Sequence, residues 1–481
     1  MQLHLSSLKI ECNNGNVKIP FADGISFFYG NSGVGKTTLL NLVNYTLGQE
    51  VVRTKTISNE IKSVQLEAFI SGKRVLLTRK IGSGMIIVKD GDGENRLYAK
   101  GGSGTDSKNE KMLLSEYFYK ASGAEPLLMT RGRSSGTTRV TISNFMWYSY
   151  LRQDELDNNF FYLGERNLNF KSYASEYVLK SLLWDCPQDE FESKIRLNHI
   201  REQEAGLKEN LSLIRKMMGI SRLSQIDINN EITKKQRMVA ELKDNADVIQ
   251  NGFDFNTDDL EKLVNCYYDL GRFEAEIVYL KEFNKFNKLA SEYENDIKRL
   301  KDESVRIDVN DKHREEVFDK HLAVLEKIFE ECLRGVSFPD FEESDRIHMD
   351  RKTLIPSVVM NSGKIKYDFT TISSGGIRTI FKICFAIAVH IYVHENNILT
   401  MLPDMLIIDT PMKNISERTD SLIYDRLYSY IYDVFGGQGR LNKTQLIIVD
   451  KEFPAAFDGK EISSRVFDRS NPLIPERLIG G

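Results

Sequence analysis

Apolar positions recur along this chain with periods of two, about 3.6 and seven, and each period predicts a different kind of element. In the first fifty residues Leu3, Leu5, Leu8 and Ile10 form the apolar side of short strands. Ile25-Ser26-Phe27-Phe28-Tyr29 is a β-prone run; Leu39, Leu40, Leu42, Val43 and Leu47 then recur at helical spacing, with Gly48 as a stop. Residues 62–90 alternate as a β-meander. Val64, Leu66, Ala68 and Ile70 share one face, Gly72-Lys73 turns the chain, and Val75–Leu77 and Ile86–Val88 follow. Glycine-rich stretches at 90–94, 101–104 and 131–136 read as loops, with a short amphipathic helix over 110–122.

From about residue 170 the pattern changes. Residues 190–250 and 257–334 are long, charged and almost free of proline. Ile200, Leu207 and Ile214 repeat every seven residues; Ile232, Val239, Leu242, Ala246 and Ile249 follow heptad spacing with Lys235 as the misfit; Phe286, Leu289, Tyr293 and Leu300 do likewise in the second arm. Asn251–Asn256 reads as the turn of an antiparallel helical hairpin. Each arm reaches at most about 100 Å, with interruptions expected near Gly219 and Gly271. The pattern fits a projecting coiled coil and also a helical subdomain packed on the core. Globular patterning resumes near Phe338: a hairpin (Leu354 to Met360 and Ile365 to Phe369, joined through Asn361-Ser362-Gly363), a long helix, a buried strand from Met405 to Ile408, another helix, and a last strand over about Gln445 to Val449.

The chemistry starts between the first β-prone run and the first helix. Gly30-Asn31-Ser32-Gly33-Val34-Gly35-Lys36-Thr37-Thr38 fits the phosphate-loop pattern with strand, loop and helix in the required order. Glycines let backbone N–H groups turn inward around phosphate oxygens, and the helix aims its positive end at them. Lys36 can reach the outer phosphates and the Thr37 hydroxyl can ligate Mg²⁺. Met405-Leu406-Ile407-Ile408-Asp409 is a buried strand ending in a carboxylate, the partner expected for that metal shell, or Walker B. Ser374-Gly375-Gly376 opens the long helix, either as an anion-directed cap or as an ordinary N-cap. Gln153, in Leu151-Arg152-Gln153-Asp154, could offer a neutral oxygen to Mg²⁺ and the attacking water.

Composition narrows the setting. Hydrophobic content of 41% and charged content of 28% predict a soluble protein, and 481 residues allow about three domains. No apolar run approaches a membrane span and residues 1–20 lack a leader pattern, so a cytoplasmic protein without a membrane partner is expected. Five scattered cysteines without a Cys-x-x-Cys pair fit a reducing compartment better than a disulfide framework or a zinc site. Seven histidines show no metal-ligand spacing, and no second catalytic centre is visible. The net charge is −4, but residues 51–140 hold sixteen Lys/Arg against nine Asp/Glu, leaving +7 there and −11 elsewhere. A basic lobe suits DNA contact, and equally a solvated surface.

The order of these features (phosphate loop, basic β-lobe, Leu151-Arg152-Gln153, helical hairpin, Ser374-Gly375-Gly376, Asp409-ended strand) resembles the ATP-binding-cassette ATPases of the structural-maintenance-of-chromosomes, SbcC and RecF group. The resemblance covers about 1–165 and 337–455. It implies an α/β ABC-type head built from residues 1–165 and 337–481, with 166–336 inserted as a coiled-coil-like hairpin. It implies ATP and Mg²⁺ as cofactors, Gln153 as the Q-loop residue, and Ser374-Gly375-Gly376 as the signature motif that completes a second copy's site in a head-to-head dimer. Arg79 matches either the group's β-lobe arginine or a surface arginine. Three departures stand out. The glutamate expected after the Walker B aspartate is Thr410, in Asp409-Thr410-Pro411; the switch histidine is replaced by Asp450 or Lys451; and the D-loop pattern is missing from Met412–Ser416. A positioned general base is worth about 10²–10⁴-fold, so slow ATP hydrolysis with ATP acting as a dimer clamp is expected, unless Asp450 takes over as base. The compact form is similar to bacterial members that work beside a separate nuclease or toxin effector in anti-phage defence or DNA repair. The alternative is a nucleotide-operated scaffold that restrains a partner protein without specific DNA binding.

Overall fold

The structure is a computed structural model that describes residues 1–478 apart from 52–53, 100–112, 131–136, 158–159, 161–167, 184–186, 219–224, 252–256, 352 and 412–420. The loops expected at 101–104 and 131–136, most of the hairpin turn, and Met412–Ser416 therefore lie outside the described residues. The chain forms two compact units, Met1–Gln188 with Glu316–Gly481, and Asp189–Glu315.

The first unit opens with β1 (Leu3–Cys12), β2 (Gly15–Pro20) and β3 (Ile25–Gly30), and β3 leads through the glycine loop into α1 (Lys36–Thr46). A short α2 (Lys55–Glu60) precedes the meander β4 (Ile61–Ile70), β5 (Lys73–Lys80), β6 (Met85–Asp90) and β7 (Gly93–Tyr98). Next come α3 (Leu114–Ser122), the ribbon β8 (Leu128–Thr130) and β9 (Thr137–Arg139), α4 (Ile142–Ser149) and β10 (Tyr150–Leu151). The helices α5 (Leu168–Leu183), α6 (Pro187–Met218), α7 (Gln225–Gln250) and α8 (Thr257–Gly335) follow. The chain then runs through β11 (Arg346–Met349), β12 (Pro356–Val359), β13 (Ile365–Asp368), α9 (Gly375–Glu395), β14 (Met405–Asp409), α10 (Ser421–Phe435), β15 (Gln445–Asp450) and β16 (Ser463–Phe467).

Two sheets set the architecture. One is antiparallel, in the order β2-β1-β4-β5-β6-β7. A register shift between Leu5 and Ser7 switches the parity of β1, which is why Leu3, Leu5, Leu8 and Ile10 all reach the core despite their uneven spacing. The β4–β5 turn is made by Ser71 and Gly72, both at positive φ, as a two-residue hairpin requires. The other sheet is wholly parallel, in the order β10-β14-β15-β3-β16. Every residue of β14 and β15 is buried, as strands covered on both faces must be. A small antiparallel sheet, β11-β12-β13, contains the predicted hairpin.

Arg79 is not a surface arginine. It lies on the inner face of β5, 1% exposed, with its guanidinium 3.8 Å from the centroid of the Tyr45 ring. It donates to the carbonyl of Tyr45 (2.7 Å) in the last turn of α1, to that of Gln49 (2.6 Å) just past the helix, and to that of Ser83 (2.8 Å). A cation thus sits at the negative end of the helix, sharing the Tyr45 carbonyl with the Gly48 N–H.

Three further expectations change. Strand β7 falls partly on the stretch read as a loop; only Leu97 in it is buried, so it carries no alternating signal. Strand β16 has no signal in the sequence, because Ser463–Phe467 is an edge strand with one buried residue. Helix α9 is long and apolar enough to cross a membrane, but most of it is buried inside the first unit as its central helix.

The helical unit is narrower than residues 166–336. Helix α5 packs into the core of the first unit, as do Phe318, Leu322, Leu325, Phe329 and Cys332 at the end of α8 and Val336 just after it, spaced four, three, four, three and four apart. Within the second unit α6 and α7 meet α8 in turn. Leu211 and Ile214 cluster with Ala290 and Ile297, and Ile228 and Ile232 with Ile277 and Phe283. The ion pairs Arg196–Glu303, Arg215–Glu294, Lys235–Glu276 and Lys243–Glu274 run in opposite directions along the partners, so the packing is antiparallel. The misfit Lys235 is explained by its acidic partner Glu276 and by the Phe273 ring beneath its ammonium.

Helix α6 is described to Met218 and α7 from Gln225, so Gly219 lies outside the described residues; no break occurs at Gly271, where α8 continues through 79 residues. A helix-interior glycine with open space at its Cβ lowers stability by up to about 1 kcal/mol relative to alanine. Gly271→Ala should therefore raise the urea midpoint of helix loss, followed by far-ultraviolet circular dichroism. A lower midpoint would mean that α8 is interrupted there after all.

Candidate functional site

All five strands of the parallel sheet point the same way, so their carboxyl ends share one edge, and this is where open α/β sheets hold ligands. β3 ends at Gly30, where the glycine loop starts. β14 ends at Asp409, β15 at Asp450, and β10 at Leu151, two residues before Gln153. The register fixes their order: Leu151 lies opposite Ile408, Asp409 opposite Val449, and Asp450 opposite Tyr29. Segments hundreds of residues apart in sequence are thus gathered by backbone pairing alone.

The glycine loop passes through Gly30, Gly33 and Gly35, all at positive φ, and Gly35 is the N-cap of α1. Asn31, Ser32 and Gly33 are exposed, and Thr38 lies half-buried in the first turn of the helix. The Lys36 ammonium folds back over the loop and donates to the carbonyls of Gly30 (2.6 Å) and Asn31 (2.8 Å). Burial lowers its pKa, against the opposing pull of Asp450 and then Asp409.

Asp409 is 1% exposed. Its Oδ1 accepts from Thr410 Oγ1 at 2.9 Å and from Thr37 Oγ1 at 3.4 Å. Burial pushes its carboxyl up to about 6; Thr410 and Thr37 pull the other way, and the charges of Asp154 and Arg152 also reach it. A hydroxyl and a carboxylate oxygen converging at a strand end, beside a loop of backbone amides, form a hard-oxygen donor set that fits Mg²⁺. The Arg152–Asp154 segment, with Gln153 at its centre, is thereby placed beside Asp409.

Thr410 shows what replaces the expected glutamate. Its φ of +53° is unusual for a β-branched residue, and its N–H donates to the Val449 carbonyl at 2.7 Å. Its hydroxyl is directed to Asp409 and is not available as a base.

Asp450 is fully buried. Tyr428 Oη donates to its Oδ2 at 2.5 Å and the Lys451 N–H to its Oδ1 at 2.7 Å. Burial pushes its carboxyl up to about 6, opposed by those two hydrogen bonds and by the charge of Lys36. Sequence reasoning missed Tyr428, because an aromatic among Tyr424, Leu427 and Ile431 on α10 reads as core.

Ser374 behaves as an ordinary N-cap within one chain. Among the described residues its hydroxyl bonds only to the Ile377 N–H, at 3.5 Å. The first turns of α9 do reach the Gln153 segment: Arg378 donates to the Asp157 carbonyl at 3.4 Å, and the buried Lys382 donates to that of Glu155. Burial lowers the Lys382 ammonium to about 8, with Glu155 and Asp157 opposing.

No protein-family model matches this sequence, and no curated protein matches it. Solved structures with a similar fold include the Smc head domain with an extended coiled coil bound to the C-terminal domain of ScpA from Pyrococcus furiosus (12% identity, TM-score 0.44, covering 94% of this chain and 90% of that one). Others are the Smc head bound to the winged-helix domain of ScpA (11%, 0.40, 94% and 91%) and the recombination mediator RecF with a bound ATP analogue (11%, 0.35, 94% and 93%). With TM-scores below 0.5 they carry no functional argument.

The Asp450 carboxyl gives a pH signature. Its pKa rises from 3.8 in the unfolded chain to about 6 in the fold, so between these values the native state binds more protons and stability falls as pH rises. Two units correspond to about 3 kcal/mol, present in full above pH 6. Asp450→Asn should therefore stabilise the protein at pH 7 by about 1–3 kcal/mol, with a gain that shrinks towards pH 4. Denaturant titrations of both proteins at several pH values check this; a gain independent of pH would count against it.

Proposed function

We propose that this chain is an ATP-binding, slowly hydrolysing ATPase. The reading rests on one observation: the glycine loop, Thr37, Asp409, the Gln153 segment and Asp450 meet at the carboxyl edge of a single parallel sheet. The loop N–H groups and Lys36 hold the phosphates, and Thr37 and Asp409 hold Mg²⁺, with Gln153 as a further oxygen ligand. The ion, when bound, neutralises charge on the outer phosphates. With Thr410 directed to Asp409, the chain lacks a carboxylate directly after Walker B, which supports slow turnover. Asp450 is the remaining base candidate.

In this proposal Ser374, Gly375 and Gly376 of one copy close the phosphate site of another, so ATP holds two heads together and gates contact with DNA and with a separate effector protein. The helical unit then serves as the coiled-coil hairpin. A second reading, the ATP-operated protein scaffold, gains support from the lobe's charges. Glu67 pairs with both Lys18 and Arg74, Asp92 with Lys73, Glu94 with Lys89, and Glu116 with Arg139. Several basic side chains of the lobe are thus held by acids, although its net charge of +7 is unchanged by such pairing.

Three measurements separate these possibilities. MgATP titration should show binding by the unaltered chain and its loss in Lys36→Ala; equal binding by the variant would remove the nucleotide reading. Light scattering should show ATP-dependent dimers that Ser374→Arg abolishes while ATP binding survives. Duplex DNA binding, if present, should fall by roughly 10²-fold or more between about 50 and 200 mM salt. A lack of binding even at low salt would favour the scaffold.

A further inference from the structure

The stretch after β15 has no motif, yet it touches the glycine loop at both ends. β16 runs parallel to β3 with Phe467 opposite Gly30. Gly30 has a φ of +140°, and a Cβ there would lie 1.8 Å from the Phe467 carbonyl oxygen. The chain then turns at Asp468, whose carboxylate accepts from the N–H groups of Ser470 and Asn471 and from the Ser470 hydroxyl. It returns to the loop at Leu473, whose N–H donates to the Val34 carbonyl at 2.9 Å. The Leu473 side chain is 1% exposed, and a Cβ on Gly35 (φ +99°) would meet its Cβ at 2.7 Å. Two of the loop's glycines are therefore required by contact with this segment as well as by their own dihedral angles.

Glycine loses more conformational freedom on ordering than any other residue, so a loop with three glycines is costly to fix. Anchoring the Val34 carbonyl, between Gly33 and Gly35, fixes the most permissive part of the loop before any ligand arrives. Pre-organisation of this kind raises affinity by removing an ordering cost.

We infer that Phe467–Leu473 is a strap that positions the phosphate loop for its ligand, with Leu473 as its positioning residue; this rests on the nucleotide reading above. The strap touches no phosphate itself. It acts through the backbone of Gly30–Gly35. Leu478, further along the same segment, offers a matched comparison, because it packs against Gly15 of the β1–β2 turn.

The test uses the full chain and MgATP as the probe, measuring dissociation constants by calorimetry and, on the ligand-free protein, the melting temperature and the amide exchange of residues 33–36. Leu473→Ala should weaken MgATP binding by about tenfold and Leu473→Pro, which also removes the N–H donor, by more. Amide exchange at 33–36 should speed up in Leu473→Ala. Leu478→Ala should lower the melting temperature to a similar degree yet bind MgATP as the unaltered chain does. If Leu473→Pro does not fold, Leu473→Ala decides. Unchanged affinity in Leu473→Ala, or an equal loss in Leu478→Ala, overturns the strap while leaving the nucleotide reading intact. Failure of the unaltered chain to bind MgATP overturns both.

Discussion

Parallel pairing of β3 with β15, and of β15 with β14, is the constraint on which the site depends. These strands come from opposite ends of the chain, and only their register brings the glycine loop, Asp409 and Asp450 to one edge. A slip by one residue would turn every side chain of a strand to the other face. Because β14 and β15 are buried on both sides, such a slip would leave no position for a charged group except the strand end. That is where Asp409 and Asp450 are found.

The two buried carboxylates show how the fold sets stability against chemistry. Each is held at a strand end in a low-dielectric setting that raises its pKa, and each is steadied by neighbouring hydroxyls: Thr37 and Thr410 for Asp409, Tyr428 for Asp450. Lys36 lies between them electrostatically and is drawn by both. Such groups lower the stability of the resting fold and are kept where an incoming cation or polyanion changes the local balance.

Much of this was legible in the sequence, for a physical reason. The loop motif and the apolar run ending in Asp409 are local patterns, since a central parallel strand must be apolar throughout and its polar residue must come at its end. In the first sheet the strands of the meander before β7 announced themselves by alternation. What stayed hidden carries no local signal. β7 and β16 are edge strands with one buried residue each, and the strap after β16 is defined only by what it touches. Tyr428 looks like any core aromatic until its hydroxyl is placed against Asp450. The unusual backbone of Thr410 has no sequence marker, although the missing glutamate beside it was visible. Gly271 marks a break by propensity, but α8 carries it because packing along the helix outweighs a cost of about 1 kcal/mol.

Arg79 has a consequence for how the two sheets communicate. Helix α1 begins at the glycine loop on the edge of the parallel sheet, and a guanidinium from the antiparallel sheet closes its other end. The helix is thus a dipole with a cation fixed at its negative pole, and its positive pole is left to whatever anion the loop accepts. Binding free energies are reciprocal. An anion that orders the amino end of α1 must tighten the seat of Arg79 on β5 by the same amount that Arg79 strengthens the hold on the anion. Loading the loop should therefore be felt as stiffness across the seam between the sheets, without any side chain changing partners.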